Sequence, residues 1–251
     1  MVRAAERKRS PLIIQVFPWA ITASDGLLVR AAADAAKRAS VPISVHLDHA
    51  QDEKLIRLAA ETLPFDSIMV DMSHYEKAEN LSKTAMLVEY CHARGIATEA
   101  EPGRIEGGED GIADTADLES MLTTPEEVAE FIETGVDFLA PAIGNVHGEY
   151  GLRGPQLDFE RLKSIREFSQ AKDVRVVLHG TNGFTKDLIH QCVAAGVSKI
   201  NVNKLILEDF QTHLELNASK LSLTQLLEAG MVEVQRCTEE QMDICMSSGQ
   251  A

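Results

Sequence analysis

The chain is 251 residues long, with 24 Lys+Arg against 39 Asp+Glu and a formal net charge of −15. Hydrophobic residues make up 45% and charged residues 25%, the composition of a globular protein that can bury a large core without staples. The acidic balance excludes a general nucleic-acid binder, which needs a basic face, and the absence of any apolar run of about 18 residues excludes a membrane-spanning helix.

Met1–Ser10 carries Arg3, Arg7, Lys8 and Arg9 with no apolar stretch behind it, so it reads as the last turns of a helix feeding a strand at Pro11. Short β-branched runs then recur: Pro11–Val16, Pro42–His49, Ser67–Ser73, Ile96–Glu101, Phe138–Gly144, Arg175–Gly180 and Lys199–Lys204. Segments of helical character lie between them. Ser24–Ala39 is alanine-rich, and Asp52–Leu63 and Tyr75–Arg94 carry apolar residues at three- and four-residue spacing. Thr124-Pro125-Glu126-Glu127 has the form of a capping box with proline in the first helical turn. Gly95, Gly135 and Gly196 stand where helices should end. From Ser222 to the end the chain reads as a helical tail with Leu223, Leu226, Leu227, Met231 and Val234 on it, able to close the barrel bottom or form a subunit contact. The four cysteines, Cys91, Cys192, Cys237 and Cys245, form no CxxC pair, which suits a reducing, cytoplasmic compartment.

Strand and helix alternate without a break in composition, which predicts one α/β domain over residues 1–251 with a parallel sheet. An open doubly wound nucleotide fold should carry GxGxxG after its first strand, but Phe17-Pro18-Trp19-Ala20 stands there. A TIM-type (β/α)8 barrel instead predicts reactive residues after nearly every strand, at one rim. The sequence has them. Asp48 and His49 follow His46, Asp71 precedes Ser73 and His74, and Glu99 and Glu101 close the fourth run. His147 follows the fifth, His179 closes the sixth, and Asn201 and Asn203 lie in the seventh. One histidine after a strand is ordinarily a hydrogen-bonded loop residue. Three at equivalent strand ends beside carboxylates are the donor set of a Zn2+ site. His46, two residues inside its strand, reads as buried and satisfied, and His92, His190 and His213 as surface residues of helices. Glu99–Glu119 holds eight acidic residues against one arginine and includes Gly103, Gly107, Gly108 and Gly111. As a solvated loop it needs no function; at a strand end it suits a mobile lid over residues 102–122. Gly180-Thr181-Asn182-Gly183 and Asn201-Val202-Asn203-Lys204 fall in the quadrant where barrels often bind phosphate.

Taken together, these motifs resemble the class II, zinc-dependent fructose-bisphosphate/tagatose-bisphosphate aldolase family. The stretches that carry the resemblance are Val45–His49, Val70–His74, Glu99–Arg104, Gly107–Asp110, Ala142–Gly148, Leu178–Gly180 and Lys199–Asn203. The resemblance implies that His49, His147 and His179 are zinc ligands and that Asp71 and Glu101 belong to an alternate metal position. It implies that Asp48 is the acid/base for the hydroxyl proton. Glu109 would exchange the proton at the triose-phosphate carbon, and Gly148, Gly180, Asn182, Gly183 and Asn201 would surround the phosphate and triose. A monovalent cation near that phosphate, a phosphorylated sugar substrate and a homodimer or homotetramer are further family expectations.

The sequence also departs from the family pattern. The first barrel strand and most of the first helix are missing, leaving seven strands. Phe17 stands where serine is frequent, Thr181 and Asn182 replace Gly-Ser, and Lys204 replaces threonine and could meet phosphate as a point charge. The expected activity is zinc-dependent, reversible aldol cleavage of a ketose 1,6-bisphosphate. The competing expectations are a non-catalytic or altered-substrate relative that keeps metal or phosphate binding, and a metal-dependent hydrolase on the same barrel. A Schiff-base aldolase is disfavoured because no lysine falls inside the central strands and only Lys199 and Lys204 flank the last.

Overall fold

The computed structural model describes residues 1–107 and 122–251. In chain order the elements are α1 (Val2–Lys8), β1 (Leu12–Val16), α2 (Pro18–Ser24), α3 (Leu27–Arg38), β2 (Ile43–Ala50), α4 (Glu53–Thr62), β3 (Ser67–Val70), α5 (Lys77–His92), β4 (Ala97–Ala100) and β5 (Glu106–Gly107). Then follow α6 (Pro125–Ile132), β6 (Phe138–Leu139), β7 (Val146–His147), α7 (Phe159–Gln170), β8 (Arg175–Leu178), α8 (Lys186–Ala194), β9 (Val197–Ile200), α9 (Lys204–Asn217) and α10 (Leu223–Ile244).

The main sheet is seven-stranded and wholly parallel, in the order β1-β2-β3-β4-β6-β8-β9. Each of the seven expected strands has a counterpart in it, but the last is displaced: β9 is Val197–Ile200, so Asn201 and Asn203 lie beyond the strand and Lys204 begins α9. Side chains alternate across a strand, and here the alternation sorts apolar from polar. Val45 and Leu47 of β2 and Ile68 and Val70 of β3 face the helices in one apolar cluster with Val29, Ile56 and Leu87. Ala100, Leu139, Val176 and Leu178 face helices in a second, with Phe131, Leu162 and Ile165. Burying each large side chain of this kind contributes about 1.5–3 kcal/mol. The alternate residues point inward, where Met69, Ala140 and Val177 form a small central cluster. Asn201 donates to Asp48 although β9 and β2 are not neighbours in the sheet, so the sheet must curl round on itself. Among the described residues β1 and β9 do not pair, and the barrel stays open between them.

Several local features differ from the sequence expectations. The segment from Ser24 does not run as one helix. Asp25 and Gly26 adopt left-handed backbone (φ 50 and 74) and separate α2 from α3. Helix α2 itself, opened by Pro18 after the half-buried Phe17, was not expected from Phe17-Pro18-Trp19. Strand β6 is two residues long. The irregular stretch beyond it is held by side chains: Ala142 N donates to Thr123 Oγ1 (2.8 Å) and Ile143 N to Asn145 Oδ1 (2.9 Å). The capping box at Thr124 and Glu127 is present, and Gly95, Gly135 and Gly196 all take positive φ. All four cysteines are free thiols. The tail packs back on the chain's beginning: Lys8 Nζ meets Asp243 Oδ2 (2.6 Å), and Gly249 N and Ala251 N donate to the Lys8 and Arg9 carbonyls. No helix among the described residues is long and apolar enough to cross a membrane.

Candidate active site

A regular strand cannot turn two consecutive side chains to the same side. Asp48 and His49 nevertheless both enter the curled sheet's mouth. The β2–β3 register shifts between Leu47 and Ala50, and His49 lies in the left-handed region at φ 46. The irregularity re-aims His49 while leaving Asp48 on the inward face. The remaining inward residues follow the period of two: Glu99 and Glu101 on and just after β4, His179 after β8, and Lys199 and Asn201 on and after β9. His147 arrives differently. It belongs to the short β7, which pairs with β5, and a Cβ on Gly107 would sit 2.1 Å from the His147 carbonyl oxygen. With φ 91 as well, position 107 tolerates only glycine.

These elements gather His49, His147 and His179 so that one ring nitrogen of each lies within 4.8 Å of the others. All three are buried, and the rings meet edge to face, with centroids 4.8 Å apart for His49–His147 and His49–His179. His49 Nε2 and His179 Nδ1 approach to 3.0 Å, while His49 Nδ1 is hydrogen-bonded to Asp71 Oδ2 (2.8 Å). His49, Asp71 and Glu101 form an overlapping group at the same spacing. Asp71 also accepts from Ser73 N and Oγ and from Gln51 Nε2, and Glu101 Oε1 accepts from Ile105 N. Asn201 Nδ2 donates to both oxygens of Asp48 (3.3 and 3.2 Å).

The electrostatics follow from dense, buried charge. Burial would raise the Asp48 carboxyl, but His49, His46, His179 and Lys199 hold it well below the usual carboxylate range. Burial would lower His49, yet Asp48, Asp71 and Glu101 raise it to about 10. Burial and the neighbouring Asp71 charge push Glu101 up to about 8. Burial also depresses His147, and the charges of His49 and His179 depress it further. Four buried atoms here have no hydrogen-bond partner among the described residues: His46 Nε2, Glu99 Oε2, Glu101 Oε2 and His147 Nε2, although Glu99 Oε2 has Lys199 as an ion-pair partner. Orphaned buried acceptors are costly, and their occurrence among imidazoles and carboxylates fits a divalent cation with mixed nitrogen and oxygen donors.

The residues expected around a phosphate contact one another or their neighbours, and their side-chain donors are engaged within the protein. Gly180 (φ 67) would place a Cβ 2.1 Å from the Val146 carbonyl oxygen. Thr181 Oγ1 donates to the Asn201 carbonyl (2.6 Å), and Asn182 Nδ2 donates to Glu149 Oε1 (2.9 Å) and, at 3.4 Å, to the Gly148 carbonyl. Lys204, the first residue of α9, is paired with the same Glu149 oxygen. Gly183 (φ 76) has open space where a Cβ would go. Glu109 lies outside the described residues.

Sequence reasoning placed two further participants near the strand ends without giving either a role. Glu99 accepts from His179 Nε2 at 2.8 Å, and Lys199 Nζ lies 2.8 Å from the other Glu99 oxygen. The period of two from Glu101 and Asn201 would have placed both indoors. Lys199 therefore corrects the earlier reading: it lies inside β9 and is buried, so a strand lysine exists, engaged by Glu99 and by Asn201 Oδ1 (2.7 Å). His46 is buried with Nδ1 on Ser67 Oγ (2.7 Å), but its Nε2 has no hydrogen-bond partner, so it is only half satisfied. His213 is not a free surface group, since Nε2 meets the Leu226 carbonyl (3.0 Å), and His190 Nε2 is buried. A groove of about 330 Å3 between α6 and α7 is lined by none of the cluster residues.

A curled parallel α/β sheet with a histidine–carboxylate centre at the carboxyl ends of its strands is the architecture of a barrel-type enzyme. The family pattern described as class-II fructose-bisphosphate aldolase matches residues 1–250, and the chain belongs to that family, whose members are carbon–carbon lyases. It is 54% identical over 258 residues to a provisionally named fructose-bisphosphate aldolase of Coccidioides immitis (strain RS), covering 100% of this chain and 85% of that protein. It is 33% identical to the fructose-bisphosphate aldolase of Streptococcus pyogenes serotype M3, covering 100% and 89%. Among solved structures, the YdjI aldolase from Escherichia coli K12 superposes with a TM-score of 0.85 at 30% identity, covering 100% of this chain and 87% of that one.

Proposed function

We propose that this chain catalyses zinc-dependent, reversible aldol cleavage of a ketose 1,6-bisphosphate, fructose or tagatose bisphosphate, to glycerone phosphate and glyceraldehyde 3-phosphate. The carrying observation is the buried group of His49, His147 and His179 nitrogens within 4.8 Å, with an ionised Asp48 beside it. His49, His147 and His179 hold the metal, and Asp71 and Glu101 offer the alternate position. Bound zinc supplies a Lewis acid that stabilises the negative charge developing as the carbon–carbon bond breaks. Asp48, its carboxylate positioned by Asn201, takes the hydroxyl proton. Glu109 exchanges the proton at the triose carbon. Gly148, Gly180, Asn182, Gly183 and Asn201, with Thr181 and Lys204 at the margin, surround the phosphate, with a monovalent cation nearby, and phosphate binding at this remote end positions the reacting carbons.

The protein acts in the cytoplasm as a homodimer or homotetramer. The exposed Leu223, Leu227 and Met231, one helical turn apart along α10, support an interface there. The test is a chelator-controlled assay on a panel of ketose bisphosphates alongside metal analysis. About one zinc per chain and activity abolished by chelation are expected. Activity that survives chelation sinks the reading.

One observation favours a second reading, an altered substrate. Glu149 already places a carboxylate on Lys204 and Asn182, the donors nearest the expected phosphate. A sugar lacking that phosphate would leave the arrangement undisturbed, and the same panel, extended to single phosphates, separates the two.

A further inference from the structure

Beside the three histidines lies a second buried group, of which the proposed chemistry uses only Asp48. His46, Asp48 and Glu99 bring ligand atoms within 4.8 Å of one another, a spacing that could hold a second cation. The cation already there is Lys199. Its Nζ lies 2.8 Å from Glu99 Oε2, and both side chains are almost fully buried. The pair links two parts of the site. His179 Nε2 lies 2.8 Å from Glu99 Oε1 and 3.1 Å from Asn201 Nδ2; the carboxylate can only accept, so it selects the tautomer with the proton on Nε2 and Nδ1, the nitrogen facing His49 Nε2, free to ligate. Lys199 Nζ donates to Asn201 Oδ1 at 2.7 Å, which fixes the amide so that its Nδ2 donates to Asp48. Lys199, a donor on the amide oxygen, and Asp48, an acceptor on the amide nitrogen, select the same orientation of Asn201 and hold it from both ends.

We infer that the buried Glu99–Lys199 ion pair is a positioning element that sets the tautomer of the ligand His179 through Glu99 and the amide orientation of Asn201, hence Asp48, through Lys199. The inference rests on the zinc reading above. A carboxylate behind a ligating histidine fixes the ring and raises its basicity, and losing such a partner ordinarily costs about 10- to 100-fold in metal affinity. Neither residue of the pair needs to touch metal or substrate. An isolated buried charge would be destabilising, so the two charges must be removed together to separate fold from position.

The experiment measures zinc affinity by competition with a chromophoric chelator for the wild-type chain, Glu99→Gln and the double variant Glu99→Gln/Lys199→Met. Circular dichroism and thermal unfolding of the metal-free proteins serve as fold controls. Glu99→Gln is expected to weaken zinc binding about 10-fold or more while the metal-free fold is kept. The double variant is expected to be folded and equally weak. Zinc affinity within about threefold of wild type in either variant overturns the inference while leaving the zinc reading intact. A wild-type chain that binds no zinc overturns the zinc reading first. A measurement without substitution guards against misfolded variants: in the zinc-loaded wild type, histidine-selective 15N spectra should show the His179 proton on Nε2. A proton on Nδ1 overturns the inference.

Discussion

The two ends of the strand-end mouth are built by opposite physics. At the proposed metal end, His49, Asp71, Glu99, Glu101 and His179 are all nearly excluded from solvent, and neighbouring charges shift His49, Asp71, Glu99 and Glu101 strongly. At the proposed phosphate end, Glu149 and Lys204 are half-exposed or more, and each is perturbed mainly by the other. The first end is preorganised in a low dielectric and fixes the class of chemistry. The second is screened by water and is cheap to rearrange, which suits it to choosing among substrates. Changes at the buried end should therefore be large and should concern metal and turnover. Changes at the open end should be small and should concern recognition.

The sharpest break of that contrast is Asp48→Asn. It keeps shape and burial but removes the proton acceptor, so kcat should fall about 10²- to 10⁴-fold with zinc content unchanged. Stopped-flow turnover with metal analysis checks this, and full activity would remove Asp48 from its role. The next largest effect is on pH. His49 must be neutral to ligate, yet in the metal-free fold it is held protonated up to about 10. Zinc affinity should therefore climb about tenfold per pH unit between 7 and 9, as one proton is displaced. The metal-free fold should show the opposite trend. His49 is raised from 6.5, so its contribution is full below 6.5 and is lost as pH rises toward 10. Glu101, raised from 4.5 to about 8, acts in the same direction by penalising the fold as it ionises. Chelator competition and thermal unfolding across pH 6–10 test both slopes, and a pH-independent zinc affinity rules out a protonated His49.

The open-versus-buried contrast also explains what the sequence could and could not disclose. All seven strands were legible because each is a short β-branched run whose alternate residues are polar at one end. The α6 start was legible because capping is local: Glu127 N donates to Thr124 Oγ1, and Thr124 N donates back to Glu127. Thr124→Ala should cost about 1 kcal/mol in urea unfolding of the metal-free chain, without altering zinc affinity. The α2–α3 break had a local signal in the turn dipeptide Asp25–Gly26, whose left-handed backbone makes it, but the alanine-rich composition of Ser24–Ala39 outweighed it. The joint entry of Asp48 and His49 depends on a register shift against β3, which no local pattern encodes. The pairing of Glu99 with Lys199 depends on curling that brings β4 opposite β9, so neither residue alone announced it.

The smallest predicted effect probes the open end directly. Glu149 Oε1 accepts from Asn182 and is paired with Lys204, so a phosphate arriving at those donors must displace a resident carboxylate. Lysine at the first turn of α9 is opposed by the helix dipole, and Glu149 offsets that opposition until an anion replaces it. Glu149→Gln keeps the hydrogen bond to Asn182 available but withdraws the competing charge. KM for a ketose bisphosphate should then fall by about two- to fivefold with kcat unchanged, and the gain should shrink in high salt, because exposed pairs are weak and screened. An unphosphorylated or singly phosphorylated ketose that reacts without using this quadrant should show no change in KM. A KM for the bisphosphate that rises on Glu149→Gln would mean that the carboxylate serves the substrate directly. The open end would then be a recognition surface in its own right, with Glu149 binding a hydroxyl or a cation there instead of yielding to phosphate.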